Sequence, residues 1–323
     1  MNLDDSDKRL LFDSIAEIYD LSRPQYPGLL IDDLEEACHL EGHSKILEIG
    51  PGTGQLTKGL AERGFNIDSV EMGPQLARIA GARLSEFPNV RIKVGNFEKM
   101  KFDANYYDLA VFGTSFKWIN PKKRVPRVAE LLREDGHVAI IETHHVNGGT
   151  EQFFIDSQTC YKLSDPDTPD NFRLPDPDSV LTRKYERETK KWFSTVLSRV
   201  YEQEVQYSTE EYQKLLRTYS DVLAMNEESR KVFLDCIAET IETKYAGYIR
   251  KNYLFELFVA QRKSYHEPAD FHIMVTTNVS THDWFFSLNP TGVKVTLPTL
   301  FYILRIYIIL MVLMVIIGFA HIA

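Results

Sequence analysis

The chain has 323 residues, of which 44% are hydrophobic and 26% are charged. This composition describes a folded protein rather than a disordered one, and the length allows one large domain or two ordinary ones. The formal net charge of −9 argues against nucleic acid as a partner, because affinity for phosphates needs clustered lysines and arginines.

The cysteines and the N-terminus favour a protein of the cytosol. Cys38, Cys160 and Cys236 are widely spaced and odd in number, so neither a disulfide framework nor a metal site follows from them. We expect reduced, packed thiols. The first residues are acidic and contain no apolar signal core.

The first predicted helix covers residues 7–22 and ends in a segment with two prolines, which stop the helix and stiffen its exit. Tyr19, Arg23 and Tyr26 therefore lie near one another. The planar guanidinium of Arg23 suits a carboxylate, because it can bind two oxygens at once. A surface arginine that packs on tyrosines is the alternative interpretation.

After a helix over residues 29–40, the pattern predicts a strand, a glycine-rich turn, a helix and a second strand. The turn contains Gly50, Gly52 and Gly54, whose lack of side chains lets a ligand approach main-chain N–H groups. The second strand ends at Glu71, the position at which an acid binds ribose hydroxyls in nucleotide-binding βαβ units.

The run Glu48-Ile49-Gly50-Pro51-Gly52-Thr53-Gly54 resembles the first motif of class I S-adenosylmethionine-dependent methyltransferases. The resemblance implies that the acid before the glycines helps to hold the methionine end of the donor, and that the acid after the second strand binds the ribose. A tight turn without a ligand is the alternative. The implied donor-binding residues, including those after the second and third strands, are Glu48, Gly50, Gly52, Thr53, Gly54, Glu71, Met72, Asn96 and Phe97.

A helix over residues 74–85 leads to a third strand at 90–94, which delivers Asn96 and Phe97 at its carboxyl end. The family usually has Gly-Asp here, and the acid accepts a hydrogen bond from the adenine amino group. The side-chain carbonyl of Asn96 can still accept that bond. Phe97 could stack on the purine.

A fourth strand from residue 108 is followed by Thr114, Lys117 and Trp118, and small residues there leave space for the methyl group. Related sequences commonly carry a histidine where Lys117 stands. Trp118 either lines the acceptor pocket or packs below it.

A helix over 123–132 and a fifth strand at 136–142 lead to His144 and His145. Paired histidines suggest a metal, but no third ligand lies at a recognisable spacing. We therefore predict pocket lining or plain surface for them, and no metal site.

The later part of the chain contains a proline- and acid-rich loop at 164–178, which is either a solvated connection or a flap over the site. An extended, bulged strand at 194–207, a capped helix from Ser208, a helix at 227–244 and a final strand at 251–260 follow.

Two motifs resemble a methyltransferase type 11 subgroup that includes trans-aconitate methyltransferase: Tyr-x-x-x-Arg-Pro-x-Tyr-Pro at 19–27 and Leu-Leu-Arg-Thr-Tyr-Ser at 215–220. The resemblance implies an α/β fold with a Rossmann-like, doubly wound, mostly parallel seven-stranded sheet, in which the N-terminal helix caps the pocket. The candidates for that substrate pocket are Tyr19, Arg23, Tyr26, Thr114, Lys117, Trp118 and His144.

The predicted organisation is a methyltransferase domain at 1–263, a polar linker at 264–296 and a transmembrane anchor at 297–323. Residues 297–320 carry one charge, Arg305, and a helix of ~20 residues crosses ~30 Å of hydrocarbon. A buried core helix is the alternative. We expect a single C-terminal membrane pass with the catalytic domain facing the cytoplasm, so that the glycosylation triplet at Asn278 stays unmodified.

Taken together, these features predict methyl transfer from S-adenosylmethionine to a small molecule, either a carboxylate or a lipid-like acceptor. The donor is already activated, so direct displacement needs alignment more than a dedicated base, and no catalytic residue is identifiable. A catalytically inactive donor-binding sensor or scaffold at a membrane is the alternative. A nicotinamide-dependent oxidoreductase is disfavoured by the glycine spacing.

Overall fold

The computed structural model describes residues 12–164, 168, 173–180 and 184–264, together with the backbone of 274–277, 284–288 and 293–296. The chain divides into two units, residues 1–264 and 265–323.

One seven-stranded sheet organises the first unit, with the strand order β3-β2-β1-β4-β5-β7-β6. The first five strands pair in parallel, and β7 runs antiparallel to both of its neighbours. This confirms the predicted Rossmann-like α/β fold. The strands are β1 (Lys45–Ile49), β2 (Asn66–Glu71), β3 (Val90–Val94), β4 (Tyr107–Gly113), β5 (Leu132–Val146), β6 (Phe193–Ser208) and β7 (Tyr248–Arg262).

Helices cover both faces of this sheet. Neighbouring residues of β1 point to opposite faces, so Ile46 packs in a cluster with Leu34 whereas Leu47 packs in another with Val128. The helices are α1 (Ala16–Ser22), α2 (Gly28–Ala37), α3 (Gln55–Ala61), α4 (Pro74–Arg83), α5 (Arg124–Leu131), α6 (Glu151–Asp156), α7 (Gln158–Ser164), α8 (Pro177–Val180), α9 (Lys184–Thr189), α10 (Thr209–Leu216), α11 (Ser220–Ala224) and α12 (Glu227–Lys244).

Strand β5 is longer than the predicted strand at 136–142. It continues after its pairing with β4 ends at Gly113, because β7 supplies hydrogen-bond partners as far as Val146. His144 and His145 therefore lie within the strand rather than after it. The predicted bulge of β6 is present as a register shift between Thr195 and Leu197.

The expectation of three reduced cysteines was wrong. Cys160 of α7 and Cys236 of α12 form a disulfide, with their Cα atoms 5.5 Å apart, and Cys38 is a buried free thiol. The two bonded residues are separated by 76 positions, and a spacing of this length does not predict a disulfide. The packing of α7 against α12 brings them together.

The second unit contains a three-stranded antiparallel sheet of β8 (Met274–Thr277), β9 (Trp284–Leu288) and β10 (Val293–Thr296). These strands fall in the segment predicted only as a polar linker. The glycosylation triplet and the predicted anchor at 297–323 lie outside the described residues. Within the described ranges, no helix is long and apolar enough to cross a membrane.

Candidate active site

A small cavity of about 100 Å³ lies at the carboxyl ends of β1, β2 and β3, the edge at which open α/β sheets bind ligands. The predicted donor-binding residues on its wall are Gly50, Gly52, Glu71, Met72, Asn96 and Phe97.

The glycine-rich turn of this cavity needs residues without side chains. Gly50, Gly52 and Gly54 have φ of 72°, 60° and 86°, the left-handed region that other residues avoid. A Cβ at Gly50 would lie 2.7 Å from the Cβ of Ser115. The backbone can therefore follow this path and stay close to a ligand only with glycine at these positions.

Glu71 shapes the same turn and keeps capacity for a ligand. Its carboxylate accepts hydrogen bonds from the N–H groups of Gly52 and Gly73, each at 2.9 Å. Burial raises its pKa, which these main-chain donors partly offset. A carboxylate has about four acceptor sites, so hydroxyls of a ribose can still donate to Glu71.

Glu48 lies behind the turn, 1% exposed, and is not among the residues of the cavity wall. The hydroxyl of Ser69 donates to it at 3.3 Å, and burial raises its pKa to about 7. Thr53 and Gly54 likewise lie off the wall. Their roles toward a donor stay predictions.

Two buried polar atoms beside the turn have no hydrogen-bond partner in the described part of the chain, Thr53 Oγ1 and Gln55 Nε2. Asn96 uses its side-chain oxygen to accept from the N–H of Glu98 at 2.8 Å, which leaves a second lone pair. Phe97, 3% exposed, borders the cavity with its ring held among Phe102 and Phe112. The close backbone of the turn, the acceptor atoms of Glu71 and Asn96 and the apolar ring of Phe97 together fit a nucleoside-containing donor.

A large cavity of about 650 Å³ adjoins the small one, within the range of small-molecule sites. All seven substrate-pocket candidates line it: Tyr19, Arg23, Tyr26, Thr114, Lys117, Trp118 and His144. Four residues line both cavities, namely Phe12, Tyr19, Thr114 and Trp118.

Arg23 combines the two interpretations of its sequence motif. Its guanidinium lies over the rings of Tyr19 and Tyr219, at 4.9 and 5.0 Å from their centroids, and donates to the carbonyl of Thr218 at 2.7 Å. Its Nε is buried without a hydrogen-bond partner among the described residues, although the side chain lines the large cavity. It packs on tyrosines and keeps a donor for a ligand.

Hydroxyl groups gather where the two cavities meet. Thr114 Oγ1 lies 3.5 Å from Tyr26 Oη and 3.3 Å from Thr143 Oγ1. Burial raises the pKa of Tyr26, so its phenol stays protonated. Trp118 borders this junction, and Lys117 beside it lies 3.9 Å from Glu142.

His144 is oriented by a buried acid. Its Nε2 lies 3.0 Å from Glu256 Oε2, and Glu256 is 3% exposed whereas the histidine reaches the cavity wall. A carboxylate that holds one ring nitrogen fixes the ring's orientation. His144 is thus a group on this wall that could accept a proton from an acceptor.

Sequence reasoning missed several residues of the large cavity, among them Tyr219 and Lys251. His145, for which pocket lining and plain surface were both left open, lies on the wall. One signal could have found Lys251. It shares the core-facing side of β7 with Ile249 and Tyr253, because side chains alternate along a strand. A lysine in the buried phase of a strand is unusual and points to a site.

The segment that covers both cavities is fastened to α4. Asp13 Oδ1 accepts from the N–H groups of Gln75 and Leu76 at 2.6 and 3.0 Å, and Asp20 pairs with Arg83. The proline-rich loop also contributes to the large cavity, through Thr168 and residues 173–175.

Comparison with known proteins agrees with this geometry. Residues 47–140 match a family model described as a methyltransferase domain. An uncharacterized methyltransferase of Mycobacterium tuberculosis is 31% identical over 135 residues, which cover 42% of this chain and 53% of that protein. One from Schizosaccharomyces pombe is 27% identical over 124 residues, 38% of this chain and 48% of that protein.

The chain thus spans about half the length of the curated relatives it matches. Among solved structures, a protein from Anaeromyxobacter dehalogenans assigned to the type II methyltransferases aligns with a TM-score of 0.54. The alignment covers 74% of this chain and 97% of that chain at 19% identity, so this similarity shows the fold.

Proposed function

Because the chain carries a class I S-adenosylmethionine-dependent methyltransferase domain, we propose that the whole protein transfers the donor's methyl group to a small molecule in the large cavity. The observation that carries the proposal is the junction of the two cavities at Thr114 and Trp118. A donor in the small cavity and an acceptor in the large one meet there. In-line transfer requires such an arrangement.

The residues of the small cavity would hold the donor by its ribose and adenine and by the side that packs against the glycine-rich turn. Glu71 accepts from the ribose hydroxyls, Asn96 accepts from the adenine, and the turn at Gly50 and Gly52 packs against the ligand. When bound, S-adenosylmethionine supplies a methyl group activated by the positive charge of its sulfonium.

The protein's own contribution is alignment and exclusion of water. Phe12 and Tyr19 cover the junction, and Thr114 with Tyr26 presents hydroxyl groups to the acceptor. Where the acceptor is a hydroxyl or an amine, His144 held by Glu256 takes up the proton that it releases.

Calorimetric titration of the full chain with S-adenosylmethionine and its demethylated product tests the donor site. We expect micromolar binding that Glu71→Ala weakens by about 10-fold, or about 1.4 kcal/mol. Glu62→Ala is the matched control, because Glu62 follows α3 on the surface, lies on neither cavity wall and forms an ion pair with Lys58. Absence of binding in the folded wild type would overturn the proposal.

The alternative, a donor-binding protein without turnover, is distinguished by product formation. Incubation with labelled donor and a panel of carboxylic, phenolic and lipid-like acceptors should label at least one of them. Donor binding with no labelled product across the panel favours the sensor or scaffold.

Tethering to a membrane by residues 297–323 is a separate proposal, supported by the apolar run of the sequence. The full chain should stay in the membrane pellet after a carbonate wash, with the methyltransferase domain accessible from the cytoplasm. Val312→Arg places a charge in the middle of the run and should release the chain. Release of the wild-type chain under the same wash contradicts the anchor.

A further inference from the structure

Lys251 is a buried cation without an acidic partner. It is 3% exposed, and in the described part of the chain no carboxylate lies within ion-pair distance of its Nζ. Its one close polar contact is a hydrogen bond donated to Tyr219 Oη at 3.2 Å. An ammonium has three N–H groups, so two donors remain for a ligand.

Aromatic rings surround this ammonium. The centroids of Phe154, Tyr212, Tyr219 and Tyr253 lie 5.3 to 5.7 Å from Nζ. Such rings attract a cation, but they replace only part of the hydration that burial removes. Burial and the nearby Arg23 lower the pKa of Lys251 to about 7.

A second cation, Arg23, and an uncharged histidine, His145, lie at this end of the cavity. Arg23 faces the same Tyr219 ring, and its Nε has no partner among the described residues. His145 accepts or donates at Tyr219 Oη, 3.3 Å away, and its pKa is lowered by burial and by Lys251, Arg23 and Lys117. The acids of this wall, Glu151 and Asp221, are exposed at the rim.

The wall around Lys251 is not part of the wall that the two cavities share. Arg23, His145 and Lys251 line the large cavity and are absent from the wall of the small one. The two cavities meet instead at uncharged residues such as Thr114 and Trp118. An anion at Lys251 therefore anchors a molecule whose methylated atom is elsewhere.

We propose that Lys251, with Arg23, binds a carboxylate or phosphate group of the acceptor and that this anionic group is an anchor and not the atom that is methylated. The inference rests on the proposed function and assigns the substrate class: a small molecule with an apolar body, an oxyanion at one end and the nucleophile at the other. The aromatic wall accommodates the body.

The test compares three probes of similar shape: benzoate, phenyl phosphate and neutral benzamide, titrated against the full chain in the presence of the demethylated donor. We expect at least one of the two anions to bind about 10-fold more tightly than benzamide. The stronger anion identifies carboxylate or phosphate as the preferred group. Equal binding of benzamide and both anions, or no binding of either anion up to about 10 mM, overturns the proposal.

Lys251→Met should reduce the ratio of anion affinity to benzamide affinity to about one. It should leave the affinity for the demethylated donor within about twofold of the wild type, and it should raise the melting temperature of the ligand-free chain. A merely structural lysine would give the opposite shift in melting temperature. Lys231→Met is the control, because Lys231 is exposed and pairs only with Asp235 among the described residues. If Lys251→Met does not fold, Lys251→Gln removes the charge while keeping a polar group.

The two proposals fail in different ways. Loss of donor binding in the wild type removes the proposed function. Donor binding with no anion preference, or with a preference that survives in Lys251→Met, removes only the anchor. If Lys251 were neutral and served as a base, donor binding would persist without an anion preference, and that result would also remove the anchor.

Discussion

The small cavity is walled mainly by the ends of β1 to β4 and the turns that follow them, whereas the large cavity is walled by side chains that also come from β5, β7 and the helices between them. Glycines with left-handed backbones and one carboxylate on main-chain donors define the first. Tyrosines, two histidines and the cations Arg23, Lys117, Arg173 and Lys251 line the second. A turn of left-handed glycines tolerates few substitutions, while a wall of side chains can be changed residue by residue.

Breaking the disulfide should give the largest effect and should affect the large-cavity side. Cys160 precedes Tyr161 on the cavity wall, and a cross-link over 76 positions stabilises by about 4 kcal/mol in the chain-entropy account. Reductant should lower the free energy of unfolding of the wild type by about this amount. A Cys160→Ala/Cys236→Ala double variant should be insensitive to reductant; sensitivity there would assign the effect elsewhere.

Gly50→Ala tests the small cavity, as the disulfide variant tests the large one. The left-handed φ costs about 1–2 kcal/mol and the overlap with Ser115 about as much again. We expect the free energy of unfolding to fall by about 3 kcal/mol, measured by denaturation. We also expect donor affinity to fall, measured by calorimetry. Gly81→Ala in α4 has open space and should instead stabilise by about 1 kcal/mol. A donor affinity unchanged in Gly50→Ala would show that the ligand does not depend on this turn.

The difference in stability between Lys251→Met and the wild type should depend on pH, because Lys251 is a buried cation of the large cavity. Folded Lys251 has a pKa of about 7, below its ordinary value of 10.5, so below pH 7 the buried charge destabilises the folded chain. The variant should be more stable than the wild type there, by about 2 kcal/mol or more. The advantage should shrink as the pH rises from 7 toward 10, where folded Lys251 is neutral. An advantage independent of pH would mean that packing, not charge, is the cause.

Asn96→Asp should give the smallest effect. It restores the acid usual in the family at a position that already accepts from the N–H of Glu98. We expect donor affinity to rise by about threefold or less, within about 0.7 kcal/mol. Calorimetric titration of the variant and the wild type measures the change in donor affinity. A loss of affinity would argue that the Asn96 NH₂ donates a hydrogen bond to the ligand.

The same contrast explains what the sequence could predict. The turn at Gly50, the acid at Glu71 and the strand end at Asn96 are local patterns, so their spacing and the resemblance to a family motif predicted residues that the structure brings to one cavity wall. Tyr19, Arg23 and Tyr26 were also local to one another. Lys251 became part of the cavity only because β7 pairs with β5, and long-range pairing leaves no trace in spacing. The cysteine pair escaped prediction for the same reason.

The N-terminal cover has a consequence for the order of events. Phe12 and Tyr19 border both cavities, and Asp13 together with Asp20 ties their segment to α4. A donor in the inner cavity and an acceptor in the outer one would therefore lie beneath the same two side chains. Turnover should be sequential, with the donor entering first and its demethylated product leaving last. In steady-state kinetics that product would compete with the donor and inhibit noncompetitively against the acceptor.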